Sequence, residues 1–233
     1  MPKTYPGLAL ERRLWQQGRR WVAGLDEVGR GAWAGPVAAA AVILPSDSRT
    51  LRATLRGVTD SKLLTARQRE RLSRIIQTVA VSIGLGGAGA AEVDRDGLLG
   101  ATRAAMQRAI AMLDPQPEAL LVDALDLRAV VPLPQQWPIH GELLSLSIAA
   151  ASIVAKVHRD HWMEGLDLRC PGYGFAQNKG YGTAVHMAAL ARLGICEAHR
   201  LSYAPIMRLG ALSSAGDESA EFSYASRPGP RLA

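Results

Sequence analysis

Two short apolar runs, "RWVAGL" at residues 20–25 and "PVAAAAVILP" at 36–45, constrain this chain more than any other stretch. Each is bounded by Gly or Pro, the pattern of paired buried strands. Between them stand two adjacent acids, Asp26 and Glu27, and then the glycine turn "GRG". Such a pair can simply cap the turn after a strand. Carboxylates crowded together nevertheless repel and raise one another's pKa, which costs stability unless a cation compensates.

The rest of the chain alternates helices and strands. The segment Thr65 to Val79 begins with a capping threonine and aligns Leu72, Ile75, Ile76 and Val79 on one face of a helix. "AVSIGLGGA" reads as a strand, residues 97–114 as a helix stopped by Pro115, and "EALLVDALD" as a strand with Asp123 at its C-terminal end. From Ser145 a buried helix is expected, with Glu142 just ahead of it; "CPGYGFAQNKGYGT" is expected to be a loop and "AVHMAALARLG" a last helix. This order predicts an α/β domain on a mixed sheet. The expected divisions are an N-terminal extension (1–20), one globular domain (21–210) and a flexible tail (211–233) rich in Ser, Gly and Pro.

A formal charge of +6 and a pI near 9.7 favour acidic partners, nucleic acid first. Cys170 and Cys196 are too few and too far apart for a disulfide framework or a zinc site, and the five histidines show no metal-ligand spacing. No apolar run approaches the roughly 20 residues that span a bilayer, and none near the N-terminus suits a signal peptide. A cytoplasmic protein with no membrane partner is expected. Strand ends come together in space, so Asp26, Glu27, Asp123 and Glu142 can form one cluster. Hard oxygen ligands select Mg²⁺ or Mn²⁺ over Zn²⁺. Two such ions roughly 3.5–4 Å apart clamp the attacking and leaving oxygens in phosphodiester hydrolysis.

Five stretches, "GLDEVGRGAWAGPVAAAAVILP", "TDSKLLTARQRERL", "LLVDA", "SIAAASIVAKVHRD" and "PGYGFAQNKGYGTAVHMAAL", together resemble bacterial ribonuclease HII, in the family's order, over residues 21 to about 208. The resemblance implies a ribonuclease H-like mixed sheet flanked by helices. It also implies an endoribonuclease that hydrolyses the RNA strand of RNA·DNA hybrids and cuts 5′ of single ribonucleotides in duplex DNA, supporting their removal. A metal-activated water would leave 3′-hydroxyl and 5′-phosphate ends. Asp26, Glu27 and Asp123 match the family's metal-binding acids, and Glu142 is the candidate fourth, one methylene longer than the usual Asp. Gly29, Arg30 and Gly31 would approach the ribose 2′-OH through the backbone. Lys62 and Lys179 would contact phosphate, and Tyr181 would stack on the sugar after the ribonucleotide. Arg159 and Asp160 are expected to form a structural ion pair. Ala32, Trp33 and Ala124 depart from the family's common Pro, Leu and Gly. A monomer is expected. The alternatives are another ribonuclease H-fold nuclease, such as an integrase, which does not require "GRG" followed by "GYGT", or a non-catalytic hybrid-binding protein.

Overall fold

The computed structural model describes residues 5–209; the expected tail at 211–233 lies outside them. Its centre is a five-stranded sheet in the order β3-β2-β1-β4-β5, with β1 (Val22–Val28), β2 (Val37–Ile43), β3 (Ser82–Ala88), β4 (Ala119–Val122) and β5 (Gln135–Gln136). β1, β2 and β3 pair antiparallel, whereas β4 lies parallel to β1 and β5 parallel to β4. The sheet is therefore mixed, as the order of apolar runs predicts.

Small residues let helices sit close on both faces. On one face, α4 (Ala90–Ala111) crosses β3 so closely that a Cβ at Gly84 or Gly86 would fall 1.9 or 2.1 Å from the carbonyl oxygens of Ala109 and Ala105. On the other lies α6 (Leu146–Arg169), whose Ala149, Ala150, Ala151 and Ala155 pack with Ala40 and Val42 of β2. α3 (Ala66–Val79) covers the same face with Leu72 and Ile76, and Thr65 caps it in a reciprocal capping box with Gln68. Other helices are α1 (Ala9–Gln16), α2 (Leu51–Thr54), α5 (Gly141–Leu144), α7 (Phe175–Asn178) and α8 (Ala184–Leu193), with a 3₁₀ turn at Ser61–Leu63 and a further helical segment at 204–209.

Several elements differ from expectation for local reasons. α4 starts at Ala90 rather than residue 97, because the Glu92 side chain accepts the Gly89 N–H and caps an earlier turn; the helix is interrupted at Gly97, whose φ is +72°. The "CPGYGFAQNKGYGT" loop contains α7, one turn long, which is too short to show a helical period. α1 docks on the start of α6: buried Glu11 accepts hydrogen bonds from the Ser145 and Ser147 hydroxyls (2.6 and 2.8 Å) and the Ser147 N–H (2.9 Å). A carboxylate at a helix N-terminus is favoured by the helix dipole.

Gly24 fixes how closely α6 approaches β1, since a Cβ there would lie 2.2 Å from the backbone carbon of Ser147 and 2.4 Å from the Ile148 nitrogen. Backbone cannot yield as a side chain can. Gly24→Ala is therefore expected to destabilise by at least the ~1–3 kcal/mol of core overpacking. Thermal denaturation should show a Tm drop of several degrees, whereas Gly31→Ala, which meets nothing within 4 Å, should leave Tm unchanged; equal Tm values for Gly24→Ala and the parent would contradict this packing.

Candidate active site

Asp26 and Glu27 lie in β1, and strand alternation sends them to opposite faces of the sheet. Asp26 pairs with Ala40, which belongs to the α6-side core, and Glu27 with Ala39, which belongs to the α4-side core. Parallel pairing then brings in the third acid. Leu25 stands opposite Val122, so Asp123 follows at the end of β4 and its N–H donates to the Leu25 carbonyl at 3.0 Å. Glu142 comes from α5, whose first N–H, that of Gly141, donates to Asp123 Oδ1 at 2.7 Å. The four acids expected to act together thus gather at one end of the β1–β4 pair.

Their environment disfavours negative charge. Burial, then the charges of Glu27 and Asp123, push the Asp26 carboxyl well above the ordinary range, against hydrogen bonds from Ser152 and the Glu27 N–H. Glu27 is raised by burial and Asp123, although the Arg30 guanidinium at 3.2 Å opposes this. Burial and Asp123, with a smaller contribution from Asp60, also raise Glu142. Glu27 Oε2 and Glu142 Oε2 are buried with no hydrogen-bond partner among the described residues. Lys62 is exposed on the 3₁₀ turn; partial burial disfavours its charge, but Asp60, Asp26, Glu142 and Asp123 outweigh this and raise its pKa.

This donor set suits a hard divalent cation: it consists of carboxylate oxygens, two of them orphaned and buried, in a site that resists uncompensated charge. Among the described residues, no three Asp, Glu, His or Cys side chains stand ready to chelate one ion. Asp26 and Glu27 start from opposite faces of β1, so they can share a ligand only by turning toward the end of the strand.

The loops meet beside the acids. Trp33 N–H and Ala34 N–H both donate to the Gly180 carbonyl, at 2.8 and 3.2 Å, joining the segment after "GRG" to "GYG". Two buried arginines missed by sequence reasoning as loop supports complete the joint. Arg159 donates to the carbonyls of Pro36, Lys179 and Ala34, and Arg200 to those of Gly35 and Arg30. The expected Arg159–Asp160 pair is replaced by separate contacts, because Asp160 bonds Lys156 at 2.6 Å and lies 3.6 Å from Arg69. Arg159 lies among Lys156, Asp160 and Glu164 in the charged C-terminal half of α6, so no local signal set it apart as the buried one.

The two glycines of "GRG" differ. Gly29 has φ +90°, and the space of its missing side chain is filled by the Arg159 guanidinium, whereas Gly31 faces open space. Tyr181 is half-buried, its ring 5.5 Å from Arg159 Cζ. The Lys179 ammonium is already held by Glu164 at 2.9 Å and the Asp160 carbonyl at 3.2 Å. Among the described residues, the non-glycine positions with positive φ are Ala124, His140 and Lys179. Each stands within two residues of Asp123, Glu142 or Tyr181, so backbone strain collects around this site.

The model of the family Ribonuclease HII matches residues 23–206. The chain belongs to the ribonuclease HII family. The ribonuclease HII of Geobacillus kaustophilus (strain HTA426) is 52% identical over 196 residues, which cover 84% of this chain and 73% of that protein. The crystal structure of ribonuclease H2 from Pyrococcus horikoshii OT3 matches with a TM-score of 0.67 at 23% identity, covering 82% of this chain and 98% of that one. Bst-RNase HIII in complex with Mn²⁺ matches with a TM-score of 0.66 at 21% identity, covering 89% and 74%. The two structures bear on the fold, which is ribonuclease H-like; the sequence match makes the protein a type 2 ribonuclease H, an endonuclease by family. Among the described residues no helix is long and apolar enough to cross a membrane.

The raised Asp26 pKa has a sign that can be tested. Its folded value lies above the unfolded value of about 3.9, so the metal-free protein loses stability as pH rises from about 4 through the folded pKa, and the deficit is complete above it. Asp26→Asn in chelator is expected to melt above the parent at pH 7, with the gap closing toward pH 4. A variant that melts lower at pH 7, or a gap independent of pH, would contradict the electrostatic account.

Proposed function

We propose that this ribonuclease HII cuts on the 5′ side of a ribonucleotide, both within RNA·DNA hybrids and at single ribonucleotides in duplex DNA, as a monomer in the cytoplasm. The reading is carried by the joint between the "GRG" and "GYG" loops beside the acids, because a nuclease that must find a ribose needs its sugar-facing backbone and its charged centre in one place. Mg²⁺ or Mn²⁺ held by Asp26, Glu27, Asp123 and Glu142 would supply an activated water and stabilise the leaving 3′-oxygen.

The remaining work belongs to the chain. The open side of Gly31 lets backbone approach a sugar and hydrogen-bond its 2′-OH, the group that separates RNA from DNA. Arg30 stands partly exposed while paired to Glu27, so it can face the substrate without leaving the acids. Tyr181 offers a ring face to the next sugar, backed by the Arg159 guanidinium. Lys62 supplies an exposed positive charge next to the acids. Lys179 reaches a phosphate only by exchanging Glu164 for it. Glu142, longer by one methylene than the family's usual Asp, tilts the preference toward Mn²⁺, which tolerates irregular oxygen geometry better than Mg²⁺.

Duplex DNA carrying one ribonucleotide, and a continuous RNA·DNA hybrid, test the reading directly when each is incubated with Mg²⁺ or Mn²⁺ and the new ends are mapped. The expected products carry a 3′-hydroxyl and a 5′-phosphate, with a cut 5′ of the lone ribonucleotide. Detection of a 2′,3′-cyclic phosphate would show that the 2′-OH is the nucleophile and would sink the mechanism.

A further inference from the structure

His186 on α8 and His199 in the segment that follows are 0% and 2% exposed. Their rings meet Nε2 to Nε2 at 3.0 Å. A hydrogen bond between two imidazole nitrogens needs one donor and one acceptor, so the neighbours of the other two nitrogens decide the tautomers. The Cys196 N–H donates to His199 Nδ1 at 3.0 Å. That nitrogen therefore carries a lone pair: the Cys196 carbonyl also lies 3.2 Å away, but a proton on Nδ1 would face the amide hydrogen. His199 then holds its proton on Nε2 and donates it to His186 Nε2. His186 in turn holds its proton on Nδ1, which lies 3.0 Å from the Tyr181 carbonyl oxygen.

Tyr173, Phe175 and Trp33 wall the pair, with ring centroids 5.1–5.9 Å from one imidazole or the other. Burial lowers the pKa of His186 and brings that of His199 down to about 4, which keeps both rings neutral at physiological pH and leaves one proton for each. We propose that His186 and His199 are positioning residues for the substrate-facing "GYG" loop, joined in a relay of fixed tautomers that runs from the Cys196 N–H to the Tyr181 carbonyl. The same segment holds the other loop, since Arg200 binds the carbonyls of Arg30 and Gly35 and the Ala198 carbonyl accepts the Gly35 N–H. The proposal rests on the reading of Tyr181 as the residue that meets the sugar beside the cut.

Two measurements test it. In the unmodified protein, ¹⁵N NMR of the imidazoles at neutral pH is expected to show His186 protonated at Nδ1 and His199 at Nε2; the same tautomer in both, or an imidazolium in either, overturns the relay. In kinetics, His186→Asn keeps an amide N–H near the place of Nδ1, whereas His186→Gln puts its amide near the place of Nε2 and leaves the Tyr181 carbonyl without this donor. His186→Gln is expected to lower kcat/KM on a lone ribonucleotide by about 5- to 30-fold more than on a continuous hybrid, and His186→Asn to restore most of that ratio. Added to Tyr181→Ala, His186→Gln should change the ratio no further. Equal losses on both substrates, or Asn and Gln falling together, overturn the proposal while parent cleavage still upholds the functional reading. A parent that cuts neither substrate overturns the reading and the relay's stated role with it.

Discussion

Like charges gathered under cover at the end of β1 are the constraint around which this molecule is organised. Asp26 and Glu142 are 7% and 6% exposed, and burial and the charge of neighbouring Asp123 push both toward the neutral form. A sheet end can hold such a group only if its scaffold resists relaxation. The glycines and alanines of β1, β2 and β3 supply that resistance by bringing α4 and α6 into backbone contact on the two faces. Glu11 then pins the start of α6 through Ser145 and Ser147.

The loops that complete the site need a different support, because they have little apolar surface of their own. Arg159 and Arg200 provide it from below, each directing its guanidinium to backbone carbonyls, and Arg200 also to the Tyr203 hydroxyl, with no acid among the described residues bound directly. Burial lowers the pKa of both, that of Arg159 to about 10, yet both stay charged at neutral pH. A planar guanidinium can hold several carbonyls in one geometry where a lysine ammonium could not. The strained backbone at Ala124, His140 and Lys179 borders the same region, and Ala124 accepts a left-handed conformation where the family commonly has Gly, at a cost of about 1–2 kcal/mol.

Much of this was legible in the residues. The runs 22–25, 37–43 and 119–122 are apolar, so the strands and the position of Asp123 at the end of one of them followed from the local pattern alone. Thr65 announced α3 through its cap. The Gln135–Gln136 strand gave no signal, since two glutamines have neither apolar character nor alternation. α5 and α7 are single turns below the length at which periodicity appears. The register that opposes Leu25 to Val122 and the meeting of His186 with His199 are tertiary facts. They depend on pairing partners distant in sequence, and no local pattern encodes them.

The account stands on one claim, that the four acids turn toward the strand end to share divalent cations. Crystals equilibrated with Mn²⁺ and measured at its absorption edge test this most directly, because anomalous scattering locates the ion without reference to any assumed ligand. Manganese density bounded by Asp26, Glu27, Asp123 and Glu142 is the predicted result. Density centred elsewhere, for example beside Asp160 and Glu164, or full occupancy with Asp123 and Glu142 unmoved and out of reach, would contradict it.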